Sequence, residues 1–171
     1  MAEEGRLPVL AVVGPSGAGK TTVLAALIGE LARRGYRVAA IKHSHHPGLM
    51  PDTPGKDSHR LWEAGAQAVA LVGPDLLALR WRGGHGRDLP QLLTLLRGMA
   101  DIILVEGHSA QPIPRIEVWR QGLGPPPRPA AGRILAMVGH APSDWEGPTF
   151  QPWQTAQLAD LVERELGLRR P

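Results

Sequence analysis

The chain has 171 residues, 43% hydrophobic but only 4% aromatic, with a formal net charge of +3 and an isoelectric point near 9.9. That length is one domain's worth, so residues 1–171 are expected to form a single domain around a core of Leu, Val, Ile and Ala. Cysteine is absent and no run of about eighteen apolar residues occurs, which excludes disulfides, thiol catalysis, cysteine-held metal centres and a membrane-spanning helix.

The first residues, "MAEEGRLPVLAVVG", lack a basic n-region, so no signal peptide is expected and a cytoplasmic location fits. Nearly all positive charge is arginine; the lysines are Lys20, Lys42 and Lys56. No arginine stripe is interleaved with aromatics, so no nucleic-acid partner is expected. An acidic partner or a phosphate-bearing ligand suits the mild basicity.

In chain order, "LPVLAVV" (7–13) is a continuous apolar run bounded by glycine and predicts a buried strand. Residues 19–35 carry helical apolar spacing at Val23, Leu24, Leu27, Ile28 and Leu31, closed by Arg33-Arg34-Gly35. "YRVAAIK" (36–42) reads as a second strand, and the Pro/Gly-punctuated stretch 43–56 as a loop. A short helix is expected over 57–65 with Asp57 or Ser58 as its cap. Two strands three residues apart, 68–73 and 76–83, suggest an inserted hairpin. An amphipathic helix follows over 88–99, then strands over 101–107, 113–120 and 133–139 and a final helix over 155–166. Strands alternating with helices predict an α/β fold: a mostly parallel sheet flanked by helices, of the P-loop NTPase type, with an inserted β-hairpin region.

The strongest chemical signal is "GPSGAGKT" (14–21), which fits G-x-x-x-x-G-K-[ST] between an apolar strand and an amphipathic helix. Gly14, Pro15, Ser16, Gly17, Ala18 and Gly19 would form the loop whose backbone N–H groups converge on phosphate oxygens. The helix that follows turns its positive end to the same place. Lys20 would reach the β- and γ-phosphates, Thr21 would present its hydroxyl to Mg²⁺, and Thr22 would face the α-phosphate or cap the helix. The second half of such a site is an acid at the end of a buried strand. "DIILVEG" supplies Glu106, placed to hold Mg²⁺ directly or through water, while Asp101 marks the strand's start.

Four stretches in order, "VVGPSGAGKTT", "IKHSHH", "DTPGKDSHRLWEAGA" and "DIILVEGHS", make the chain resemble the molybdopterin-guanine dinucleotide biosynthesis adapter family, MobB. The resemblance is close over roughly residues 7–110 and looser beyond. It implies a GTP-binding adapter with weak GTPase activity at most. Such an adapter assists the MobA-like guanylyltransferase that attaches GMP to molybdopterin, works with Mg²⁺ and is a homodimer. The family's phosphate loop maps onto Gly14–Thr22, its acidic strand end onto Glu106, and its Asp after the Gly-Lys pair onto Asp57. One departure stands out. The chain has no asparagine, so an Asn-Lys-x-Asp guanine-reading motif is impossible, and the nearest acid after the last strand is Asp144. GTP is therefore implied by the resemblance alone.

His43, His45 and His46 admit several readings. They could chelate a transition metal, orient a water, or belong to a loop that contacts a ligand or partner through Lys42, His43, His45, His46, Lys56, Asp57 and Arg60. A solvated polar loop is the plain alternative. The ligand or partner loop is the reading carried forward, because the end of the second strand lies at the ligand-binding edge of an α/β sheet. Two other functions share the phosphate loop: a small-molecule or nucleotide kinase, with "RWRGGHGRD" (80–88) as lid, and a metal-insertion GTPase using histidines.

Overall fold

The structure, a computed structural model, describes residues 7–42, 57–66, 68–74, 76–81, 89–107, 112–125 and 132–170. His43, His45, His46 and Lys56 lie outside the described residues, as do the side chains of Asp57, Trp62 and Trp81. The elements in chain order are β1 (Val9–Val13), α1 (Lys20–Arg33), β2 (Val38–Lys42), α2 (Asp57–Glu63), β3 (Ala68–Val72), β4 (Leu77–Trp81), α3 (Leu89–Leu96), β5 (Ile102–Glu106), β6 (Arg115–Trp119), β7 (Ile134–Gly139), β8 (Thr149–Phe150) and α4 (Thr155–Leu166). They fall into two compact units, Met1–His43 with Leu92–Pro171, and Ser44–Gln91.

The first unit holds a six-stranded sheet in the order β2-β5-β1-β6-β7-β8, and every pairing in it is parallel. A parallel sheet is covered on both faces, so its strands read as unbroken apolar runs; β5 is buried at all five positions. Leu10, Val12, Ile102, Leu104, Ile116, Val118, Ala136 and Val138 share one core with Val23, Leu24, Leu27 and Leu31 of α1 and Leu158, Ala159, Leu161 and Val162 of α4. The alternate residues Ala11, Val13, Ile103, Val105 and Met137 are also buried. On β6 those alternate positions are charged. Arg115 and Glu117 are buried with Nη1 3.8 Å from Oε1, and burial pushes the Glu117 carboxyl up while Arg115 opposes the shift.

α1 stops where the sequence predicts. Gly35 takes a positive φ of 96°, the Gly35 N–H donates to Ala32 O, and the Tyr36 N–H donates to Leu31 O. Its last turn is bolted to α4 by Arg34, whose guanidinium donates to Glu30 Oε1, Asp160 Oδ1, Glu163 Oε2 and the Ala156 carbonyl at 2.7–2.9 Å. Hydrogen bonds from Arg33 and then Arg34 hold the Glu30 carboxyl at about 2, against its ordinary 4.5. Three residues on, at the same edge of the sheet, Asp101 accepts from the Arg37 backbone N–H at 2.7 Å and pairs with its guanidinium, pinning the starts of β2 and β5 together.

The second unit contains α2 packed on β3, and β3 and β4 form their own antiparallel pair, Ala68 opposite Trp81 through Val72 opposite Leu77. The expected hairpin is therefore a separate two-stranded sheet, which leaves the main sheet wholly parallel. α3 spans the boundary between the units. β8 is an addition to the predicted elements, a two-residue strand paired to Met137 and Val138. No helix among the described residues is long and apolar enough to cross a membrane.

Two predictions follow from this packing. A carboxylate held low contributes stability above its unfolded pKa and loses it as pH falls through the folded value. The melting temperature should therefore fall between pH 4.5 and about 2 as Glu30 protonates. Arg34→Ala should lower it by roughly 3–6 °C at pH 7 and flatten that acid limb, as read by circular dichroism. Chemical denaturation should rank two loop glycines differently. Gly14→Ala, with a φ of 145° and a Cβ that would collide with the Val118 carbonyl, should cost more than about 2 kcal/mol. Gly17→Ala, with a φ of 77° and open space around it, should cost about 1 kcal/mol.

Candidate functional site

Parallel pairing brings the C-terminal ends of β1, β2, β5 and β6 to one edge of the sheet. Val12 lies opposite both Glu106 and Ile116, and Lys42 lies opposite Glu106. Residues 14–19 leave β1 at this edge and enter α1. Gly14 passes tight against the backbone of β6, where only a glycine fits. Ala18 is buried, its N–H donating to the Pro15 carbonyl at 3.3 Å, so the loop folds on itself. Gly19 sits in the left-handed region, φ 99° and ψ 19°, and hands the chain to the helix.

No side chain caps α1, and no acid stands in its first turn. Its first N–H groups have no intrahelical acceptor, so they present a concentrated positive end to the loop. Lys20 donates from Nζ to the Pro15 carbonyl at 2.8 Å, folded over the loop it would serve. Thr21 and Thr22 are exposed on the first turn. The Thr21 hydroxyl donates to Glu106 Oε2 at 2.9 Å. Glu106 is only 8% exposed, and its other oxygen lies 3.5 Å from the Lys42 ammonium. A hydroxyl and a carboxylate side by side at a helix start are hard oxygen donors of the kind Mg²⁺ takes alongside phosphate oxygens. Thr21 and Glu106 therefore fit that ion.

The structure thus brings together Gly14 to Thr22, Glu106 and Lys42. Asp57 opens α2 and Arg60 lies exposed on it, both in the second unit. His43, His45, His46 and Lys56 lie outside the described residues, and among those described no group of three or more His, Cys, Asp or Glu could hold a metal ion. Two features escape a reading of the sequence. Arg120, just past β6, places Nη2 3.6 Å from the point a Cβ on Gly19 would occupy. Beyond it, at the ends of β6 and β7, opens a cleft of about 520 Å³ lined by Trp119, Gln121, His140, Pro142, Ser143 and Asp144. Trp119 and His140 meet edge-on with ring centroids 6.4 Å apart. The only sequence signal for either feature is the buried strand preceding Arg120, and that does not say which strand is its neighbour.

A family profile described as "Molybdopterin guanine dinucleotide synthesis protein B" matches residues 9–140. The molybdopterin-guanine dinucleotide biosynthesis adapter protein of Haemophilus influenzae is 36% identical over 94% of this chain and 90% of its own length. The protein of the same name from Escherichia coli is 33% identical over 95% of each. The crystal structure of Bacillus subtilis MobB superposes with a TM-score of 0.74 at 27% identity, covering 93% of this chain and 98% of that one. A parallel sheet carrying a glycine loop into α1, and relatives matching along nearly the whole chain, lead to one conclusion: the chain belongs to the MobB family.

Proposed function

We propose that this protein is a GTP-binding adapter in the synthesis of molybdopterin guanine dinucleotide, holding Mg²⁺·GTP at residues 14–22 while it assists a molybdenum cofactor guanylyltransferase. The observation that carries the nucleotide half is the contact of Thr21 with Glu106, which joins the start of α1 to the acidic end of β5 beside an uncapped helix. The pathway half follows the relatives, which are named adapter proteins of this biosynthesis.

The residues divide the work as follows. Backbone N–H groups of the loop and the α1 terminus receive phosphate oxygens. The Lys20 ammonium exchanges the Pro15 carbonyl for a phosphate, trading a neutral acceptor for a charged one. Thr21 and Glu106 hold Mg²⁺, which supplies charge neutralisation to the phosphates. Lys42 steadies the Glu106 carboxylate from the β2 side. Glu106 is occupied by Thr21 and Lys42, a poor arrangement for a general base, so the reading includes slow hydrolysis at most.

The second unit supports an assembly role. Val72, Leu76, Leu77 and Leu79 are 48–75% exposed on and between β3 and β4. Such an apolar hairpin suits a homodimer contact or the docking of the transferase and its molybdopterin. The His43–His46 stretch, Lys56, Asp57 and Arg60 belong to the same proposed partner-facing segment.

Calorimetric titration with GTP, GDP and ATP, each with Mg²⁺, tests the nucleotide reading. GTP should bind in preference to ATP, and Lys20→Ala should lose at least 100-fold in affinity, about 3 kcal/mol. Glu106→Gln should retain nucleotide but lose the Mg²⁺ dependence. Preference for ATP would overturn the assignment.

A further inference from the structure

The phosphate loop has a cation on its β6 side that the function above does not use. Arg120 follows β6 directly, and β6 pairs in parallel with β1, so its end lies at the loop's edge of the sheet. The side chain is exposed, yet its guanidinium reaches Gly19, with Nη2 3.6 Å from the site of an absent Cβ. On the way its Cγ passes 4.0 Å from the corresponding point above Gly139, at the end of β7. The arginine thus lies along two glycines at ordinary van der Waals distance, both of positive φ, 99° and 98°. The guanidinium meets no hydrogen-bond or ion-pair partner among the described residues.

The charges at the loop are unevenly shared. On the β5 side Lys42 is engaged with Glu106. Lys20 and the N-terminus of α1 stand at the loop itself. A triphosphate carries several negative charges even with one divalent ion bound, and planar guanidinium is the group that matches phosphate oxygens two at a time. The cleft beyond Arg120, about 520 Å³, can take a nucleoside, and the Trp119 indole N–H buried beside it has no hydrogen-bond partner among the described residues. A nucleotide lying from the loop toward that cleft runs its phosphate chain beneath Arg120.

We propose that Arg120 is a second phosphate-binding cation, clasping the bound nucleotide's phosphates from the β6 side opposite Glu106. The proposal rests on the nucleotide-binding reading above.

The test is calorimetry of Mg²⁺·GTP, Mg²⁺·ATP and tripolyphosphate against wild type, Arg120→Ala, Arg120→Lys and Lys20→Ala, with thermal melts of each. Arg120→Ala should weaken GTP and tripolyphosphate alike, by roughly 10- to 100-fold, with an unchanged melt, and Arg120→Lys should recover part of the loss. Wild-type affinity in Arg120→Ala, or a loss confined to GTP with tripolyphosphate spared, would overturn the proposal while leaving the phosphate loop intact. ATP preference in wild type would overturn the GTP reading alone, since the arginine's effect is then read on ATP. A wild type that binds none of the three would overturn both.

Discussion

Glu106 can meet Thr21 only because β5 and β1 pair in one parallel register. Val12 opposite Glu106 puts the carboxylate one residue short of the point where β1 gives way to the loop. Strand side chains alternate faces, so Ile102, Leu104 and Glu106 look the same way, toward α1. A slip of one residue would turn Glu106 to the other face and bring Val105 beneath the loop instead. The neighbouring register of β5 with β2 is held at both ends, by Asp101 with Arg37 where the two strands begin and by Lys42 with Glu106 where they end. Between them the buried runs of β5 and β1 leave no polar position that would tolerate a shift.

With that frame set, the loop's conformation follows from close approach. Gly14 runs against the Val118 carbonyl, and Gly19 turns left-handed into α1. The helix then starts with no capping side chain and no acid in its first turn, and with Lys20 laid back on its own loop. A helix in a stable fold usually satisfies its first amides locally. Leaving them open, with cations on the flanks and one buried carboxylate at the side, suits the Mg²⁺-bound phosphates of the function proposed above. The ion cluster around Arg34 at the far end of α1 fixes the helix against α4, so its N-terminus is presented from a rigid support.

Much of this was legible in the chain. The glycine-lysine-threonine spacing after "LPVLAVV" announced the loop, and the acid ending "IILVE" announced its neighbour, because both signals are local. The helix stop at Gly35 was equally plain. What stayed hidden depends on pairing between distant segments. Nothing in "RIEVW" says that β6 lies beside β1, so nothing marks Arg120 as a neighbour of Gly19. The buried Arg115 and Glu117 interrupt that run with charges, although the strand is fully buried. β8 has two residues, too few for any periodicity. Nor does the sequence say that β3 and β4 pair only with each other among the described residues, since neighbouring strands can equally join a larger sheet.

An adapter must couple what it holds to what it docks. The nucleotide side rests on the first unit and the apolar hairpin on the second, so the account requires that Mg²⁺·GTP alter association with the transferase. The most direct measurement is sedimentation velocity of this protein mixed with a molybdenum cofactor guanylyltransferase, with and without Mg²⁺·GTP. A complex that tightens with nucleotide, and that fails to tighten when Lys20 is replaced by alanine, is the predicted result. No complex, or one indifferent to nucleotide, would contradict the account.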